Sequence, residues 1–244
     1  MKVFDGVLYN GEDDVLECRL WELADTVDVM VIIEGDKTFT GKPRERAIRE
    51  RFSEWADVIH WVDFETPIHT SPWIVERATR NQLLIEFDRL GCQPEDVITV
   101  CDVDEIWHPS SIDNFASSWH VGLMRNFAFS VHWERPLQTT IIGGTRGKVW
   151  GSLDEMRRSN RNDLPVVFGG FHLGWMGGID WCVNKLTEFS HQELNVGDTQ
   201  SMIEDCFVHG KFLRGEVMNQ VEIDSDWPRW IREGNHPETW RSRR

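Results

Sequence analysis

No stretch of about 20 apolar residues, the length that crosses a bilayer, occurs in these 244 residues, so no membrane-spanning helix is expected. Cysteine is scarce and scattered. Cys18, Cys92, Cys101, Cys182 and Cys206 are odd in number and never form Cys-X-X-Cys, which signals neither a zinc site nor a disulfide framework and leaves buried thiols. Basic residues are outnumbered, with 26 Lys and Arg against 41 Asp and Glu. The net charge of −15 repels phosphate backbones and argues against a protein whose main task is to coat nucleic acid. Tyrosine occurs once, beside 13 Trp and 13 Phe. Such rings serve cores and also the apolar faces of sugars, and most are expected to pack. The start, Met1-Lys2-Val3, lacks an apolar leader and a small-residue cleavage site, so the expectation is a cytoplasmic protein.

What is present reads as an α/β protein. Strand-like Val3 to Leu8 precedes a helix opened by Asp13 or Asp14, whose Leu16, Leu20 and Leu23 recur at i, i+4, i+7; the apolar run Val27 to Ile33 follows. A charged helix around Arg44 to Phe52, a strand over Trp55 to Val62, and a helix from Ser71-Pro72 to Gly91 come next. Val97 to Val100 is a further strand. Strand and helix alternating at short intervals predict a mostly parallel central sheet flanked by helices. Beyond Pro109, Phe127 to Trp133 and Thr139 to Ile142 read as strands, and Gly143 to Asp163 as a mobile polar loop. Val166 to Phe168 reads as a last core strand, ended by a bend at Gly169-Gly170-Phe171-His172. Two more helices run through Val183, Leu186 and Phe189, and through Met202 to Phe207, the second capped by Asp198. The basic residues Arg146, Lys148, Arg157, Arg158 and Arg161, with Arg241, Arg243 and Arg244 at the end, read as solvated loop charges.

The chemistry concentrates at Val97-Ile98-Thr99-Val100-Cys101-Asp102-Val103-Asp104-Glu105-Ile106. Side chains at i and i+2 of an extended segment leave one face, so Asp102 and Asp104 point to one hard cation, Mn2+ or Mg2+, that keeps positions open for phosphate. Ligands of α/β sheets collect at the carboxyl ends of such strands. The alternative for any isolated Asp-X-Asp is a solvated turn.

Several segments together resemble glycosyltransferase family 17. They are Val15 to Leu23, Val31 to Pro43, Asp102-Val103-Asp104-Glu105-Ile106, and Gly170-Phe171-His172 with Trp175. The resemblance runs from about residue 3 to residue 225. It implies a single GT-A-type domain over 1–244, with a donor-binding half at about 1–110, an acceptor half at about 111–225 and a tail at 226–244. It also implies a UDP-sugar donor, a divalent metal, and transfer of a GlcNAc-like sugar to an acceptor hydroxyl with inversion. Under it, Asp104 is the main metal ligand, Asp102 lies near ribose or metal, and Glu105 orients the site or touches sugar. Trp107, Leu173 and Gly174 depart from the family pattern and leave the sugar and acceptor pockets in question. With no anchor or stem in the chain, a bacterial or phage enzyme fits. The acceptor is a glycan or another hydroxyl-bearing molecule, nucleic acid entering only in that role.

The remaining site residues follow from this frame. Asp180 is the candidate base, with helix capping as its alternative reading. His172 and His191 compete to be the third metal ligand. Arg77, Arg80 and Gln82 are placed to contact donor base or phosphate, or are surface groups. Glu34 at a strand end faces uridine or ribose, or caps a turn, and Trp175 completes the family-like segment. A metal-dependent nucleotidyltransferase or phosphohydrolase, or a non-catalytic carbohydrate-binding module, are the rival readings.

Overall fold

Alternate residues of the first strand, β1 (Val3–Tyr9), feed two different cores, and this sets the architecture. Val3 and Val7 join Leu16, Leu20 and Leu23 of α1 (Asp13–Leu23), whereas Phe4 and Leu8 join Leu83 and Phe87 of α2 (Pro72–Arg89). In β2 (Val29–Gly35) the same division holds: Met30 and Ile32 face one core, Val31 and Ile33 the other. Strands buried on both faces have to be continuously apolar, which is why these runs were visible in the sequence.

The computed structural model describes residues 1–241 except 48, 70, 160–162 and 214. Arg161, Arg243 and Arg244 of the basic clusters lie outside the described residues. The other elements are β3 (Ile59–Phe64), β4 (Val97–Asp102), β5 (Glu105–Trp107), α3 (Ile112–Ser117), β6 (His120–Ala128), β7 (Trp133–Thr145), α4 (Leu153–Ser159), β8 (Val166–Trp175), α5 (Ile179–Glu188), α6 (Thr199–His209), β9 (Asn219–Gln220) and α7 (Arg229–Arg232). One sheet runs β3-β2-β1-β4-β7-β6-β8-β5, with β9 on β7.

The sheet is mixed, which corrects the expectation of a mostly parallel one. β3, β2, β1 and β4 are parallel neighbours. From β4 onward the β4–β7, β6–β7, β5–β8 and β7–β9 pairs are antiparallel, and only β6–β8 is parallel. The chain leaves β1 toward β2 and β3, then returns to the other side of β1 as β4, so the strand order reverses at the carboxyl ends of β1 and β4. A crevice forms at such a reversal.

Several local expectations also change. Residues 49–55 form a short 3-10 helix in place of the charged helix expected over 44–52. The strand expected over 127–133 is interrupted: Phe127 and Ala128 end β6, Trp133 starts β7, and in the turn between them Phe129 adopts φ +69 and its N–H donates to the Trp175 carbonyl. The loop expected over 143–163 instead contains the end of β7 and α4, whose Leu153 and Met156 are buried. β8 does not bend at the glycines. Its expected core part is exposed at Val166 and Phe168, while Gly169 to Leu173 carries buried residues. Gly170 has φ +115, and a Cβ there would lie 2.2 Å from the Ile106 carbonyl, so glycine lets β5 pair closely with β8. The segment set apart as a tail sends Trp227, Trp230, Ile231 and Trp240 into the same core as α1.

Candidate active site

A cleft of about 620 Å³ opens at the reversal point, lined by residues after β1 (Asn10, Glu12), the turn after β4 (Asp102 to Glu105), α2, α4, β7, β8 and α5. Although the chain is strongly acidic, seven carboxylates and six Lys or Arg side chains line this cleft, so cationic charge is concentrated there.

Residues 103–104 form a turn between β4 and β5, in place of an extended run through both aspartates. A buried polar network fixes that turn. Asp5 of β1 receives the Arg19 guanidinium at 2.6 and 2.8 Å, the Thr99 hydroxyl, and the Trp107 indole N–H at 3.0 Å. Arg19 donates onward to the carbonyls of Glu105 at 2.7 Å and Val103 at 3.4 Å. Trp107, a departure from the family pattern, therefore serves as an additional donor to the buried Asp5.

The two aspartates face different partners. Asp102 accepts from Arg80 at 3.0 Å and from Arg157 at 2.8 Å, one guanidinium on each carboxylate oxygen. Burial opposes its ionisation, but Arg157 and then Arg80 outweigh burial and hold the carboxyl below its ordinary range. Asp104 is tied to the far strand: its carbonyl accepts from Leu173 N at 2.7 Å, which sets His172 Nε2 at 3.6 Å from Asp104 Oδ1. Lys185 of α5 approaches Asp104 Oδ2 at 3.1 Å and donates to the Gly174 carbonyl at 2.6 Å. Burial again opposes, while Lys185 and then His172 keep the Asp104 carboxyl ionised below its usual value. Glu12, 3.5 Å from Lys185, is different: burial pushes its carboxyl up.

Asp102, Asp104, Glu105, Arg77, Arg80, His172, Trp175 and His191 all line the cleft. Their roles separate by contact. Glu105 is buried, accepts from Arg157 at 2.6 and 2.7 Å, and receives the Asp102 N–H at 2.8 Å, so it orients Arg157 and closes the turn. Arg77 lies 3.3 Å from Asp154, which also binds Arg80. His191 pairs with Glu193 at 2.6 Å and meets Trp73 edge-on at 4.5 Å; it is not brought to Asp104. Glu34 stands outside the cleft, fully buried, accepting from Ala47 N and Arg49, and so anchors the segment after β2. Gln82 donates to Glu86 on α2, also outside. Asp180 is exposed in the first turn of α5 and does not line the cleft; no side-chain cap bond forms at this helix start. Cys101 is buried, and burial pushes its thiol up to about 12, so it supplies no thiolate at neutral pH.

Among the described residues, no three acidic, histidine or cysteine side chains converge closely enough to hold a metal by themselves, and Asp102, expected beside Asp104 and a histidine, gives both of its oxygens to guanidinium groups. The arrangement nevertheless fits a cation that completes its shell from a phosphate substrate. Asp104 Oδ1 and His172 Nε2 offer two donors at a separation suited to one ion, and Mg2+-type sites take only one or two protein carboxylates beside substrate oxygens and water. Gly174 keeps space at that point, because a Cβ there would lie 2.9 Å from His172 Nε2.

Arg157, read as a solvated loop charge, is instead buried in α4 and paired with Asp102 and Glu105, and Lys185, Glu12 and Trp73 are cleft residues that sequence reasoning did not single out. For Arg157 a usable sign was present: Asp154 and Glu155 in the first turn and Arg157 and Arg158 in the last turn of a segment whose Leu153 and Met156 share one face.

The sequence profile of glycosyltransferase family 17 matches residues 1–213. The chain belongs to this family. Its relatives include the β-1,4-mannosyl-glycoprotein 4-β-N-acetylglucosaminyltransferases of Homo sapiens and Rattus norvegicus, each 28% identical over 160 residues. That of Mus musculus is 27% identical over the same length. The alignments cover 59% of this chain and 30%, 29% and 29% of the relatives, so the chain spans about a third of their length. The family match includes both the Asp102 to Ile106 segment and the Phe171 to Trp175 segment, which the structure pairs as neighbours through β5 and β8. The segment that follows the match, residues 215–241, supplies Trp227 and Trp240 to the core beside it. No helix among the described residues is long and apolar enough to cross a membrane.

Proposed function

We propose that this chain is a metal-dependent inverting glycosyltransferase of GT-A type that moves a sugar from a UDP-sugar to an acceptor hydroxyl. The observation that carries the reading is the pairing of Asp104 with His172 at the reversal point of the sheet, beside a wall of buried guanidinium groups. The relatives' name makes N-acetylglucosamine the first sugar to test and a mannosyl glycan the first acceptor.

A bound Mn2+ or Mg2+, held by Asp104 and His172, would supply Lewis-acid stabilisation of the charge on the departing diphosphate. Arg80 and Arg157 orient Asp102 and add positive charge to the same wall, and Arg77 extends it. Trp73 and Trp175 give the cleft apolar surface for base and sugar. Inversion requires one displacement. The acceptor oxygen bonds to the anomeric carbon as the bond from that carbon to the diphosphate oxygen breaks, its electron pair leaving with UDP, and the hydroxyl proton passes to a carboxylate. Asp180 is that carboxylate in our reading. It shares α5 with Lys185, five residues apart, a rise of about 7.5 Å along the helix axis, and stands exposed in the first turn of that helix, outside the cleft lining.

The test is a panel of UDP-sugars with Mn2+ and a mannosyl acceptor, assayed for leaving group and product anomer. Release of UDP with an inverted glycoside is expected. Release of UMP, phosphate or pyrophosphate would replace the transferase by a nucleotidyltransferase or phosphohydrolase.

A further inference from the structure

We infer that Arg135, Glu216 and Ser190 form the acceptor subsite of this cleft, and that they select an uncharged sugar with adjacent hydroxyl groups. The inference deepens the proposed transferase reading and rests on it, by assigning residues to an acceptor which that reading leaves unplaced. Position is the first observation. Asn126 of β6 is in register with Arg135 of β7 on one side and with His172 of β8 on the other. Directly opposed residues leave the same face of a sheet, so Arg135 and His172 share the cleft face two strand spacings apart, about 10 Å. The Arg135 guanidinium is committed to Phe212 and Glu216 and not to the acidic turn at Asp104. Glu216 lies beyond the family match over residues 1–213, so its role is not read from the family pattern.

Construction is the second. Arg135 Cζ lies 3.6 Å from the centre of the Phe212 ring, and its Nη2 donates to Glu216 Oε2 at 2.9 Å. The Glu216 carbonyl accepts from Phe212 N at 2.8 Å, and β9 pairs the following residues with β7, so backbone bonds hold the carboxylate in place. Phe212 meets Trp175 at 5.6 Å and Trp175 meets Phe189 at 5.4 Å, which extends a floor of rings from Arg135 to the residue before Ser190. A paired Arg and Glu carry no net charge to draw an anion. They offer donors beside an acceptor, the complement of neighbouring hydroxyls, while rings cover the C–H face of a sugar. The third observation is Ser190 itself. It lines the cleft, is 3% exposed, and its Oγ has no hydrogen-bond partner among the described residues. Buried hydroxyls are nearly always paired, and a sugar at this end of the ring floor supplies the missing partner.

The test reads binding and turnover separately. Neutral sugars (methyl mannosides, glucosides and galactosides) and acidic ones (glucuronic acid and mannose 6-phosphate) are titrated by saturation-transfer NMR, with and without UDP and Mn2+. Acceptor KM and kcat are then read from UDP release with the neutral sugar that binds tightest. The wild-type protein is expected to bind a neutral sugar about tenfold more tightly than either acidic one. Glu216→Gln and Arg135→Gln are each expected to raise the sugar Kd and the acceptor KM about tenfold while kcat and UDP affinity hold, and Ser190→Ala to raise both about threefold. Unchanged sugar binding in the three variants overturns the inference. So does tighter binding of the acidic sugars, or a loss confined to kcat, which would put Glu216 in the chemistry. Should either glutamine variant fail to fold, Ser190→Ala, which deletes only an unpartnered hydroxyl, decides. A protein that binds UDP but none of the sugars sinks the subsite and leaves the donor reading standing; one that binds a neutral sugar but no UDP keeps the sugar site and removes the transferase reading.

Discussion

The two walls of the cleft are built by different means. The wall from residues 1–110 rests on parallel strands, and its polar groups form ion pairs that bridge distant segments: Asp5 with Arg19, Asp102 with Arg80 and Arg157, Asp154 with Arg80. The wall from the carboxyl-terminal half rests on antiparallel strands and on aromatic packing, with Trp227 against Phe127 at 4.3 Å and Phe171 at 5.2 Å, and Trp175 against Phe212 and Phe189. The first wall suits an anionic ligand of fixed shape. The second suits an apolar or sugar surface; apart from α4, which packs on α2 and brings Asp154, Arg157 and Arg158 to the ion pairs of the first wall, it contributes Arg135, Glu216 and Lys185. The two meet where Asp104 on the first faces His172 and Lys185 on the second.

The comparison breaks most sharply on α5. Asp180→Asn is expected to lower kcat about 10²- to 10⁴-fold with UDP affinity unchanged, read from steady-state kinetics and calorimetry; normal turnover would move the base elsewhere. Next is stability. Asp5→Asn leaves the buried Arg19 charge uncompensated and is expected to cost about 3–5 kcal/mol in urea unfolding. Trp227→Ala empties a packed site in the other half, at a similar cost of about 3–5 kcal/mol, and should leave UDP binding intact where Asp5→Asn weakens it.

Titration sharpens the contrast within the first wall. Asp102 and Asp104 have folded-state carboxyls below their unfolded value of about 3.9, so their contribution to stability is complete above that pH and is lost as pH falls through the lower folded values. Glu12 has the opposite sign: its raised carboxyl contributes below its unfolded value of about 4.3, and that contribution is lost as pH rises through the folded value. The Asp102 and Asp104 contribution to the wild-type melting temperature is therefore expected to be lost below about pH 4 and the Glu12 contribution to be lost as pH rises, so that Glu12→Gln relieves a destabilisation present at neutral pH. A Glu12→Gln protein that melts lower at pH 7 would contradict the sign. Smallest is Trp73→Ala at the cleft mouth, where the exposed ring should change stability by under about 0.5 kcal/mol while weakening UDP binding.

The unequal legibility of the halves has the same origin. β1, α1, β2, α2 and β4 announce themselves because each buries one strand face or one helix stripe at regular spacing. Even there, Asp102 gave away its place but not its partners, since Arg80 and Arg157 lie 22 and 55 residues away and no periodicity links them. In the second half the apolar count misled. Val166 and Phe168 are hydrophobic yet exposed, and the glycine pair after them reads as a bend when only Gly170 needs a positive φ, to admit β5. Glu34 shows the reverse error: a carboxylate at the end of a buried strand looks like a ligand contact, but its loop folds back and consumes it.

The central claim is that sugar leaves its nucleotide at Asp104. The direct measurement is UDP release from UDP-N-acetylglucosamine with Mn2+ and acceptor, by the wild-type protein and by Asp104→Ala, both first shown to be folded by circular dichroism. Turnover by the first and none by the second is the result this account predicts; equal UDP release by both would contradict it.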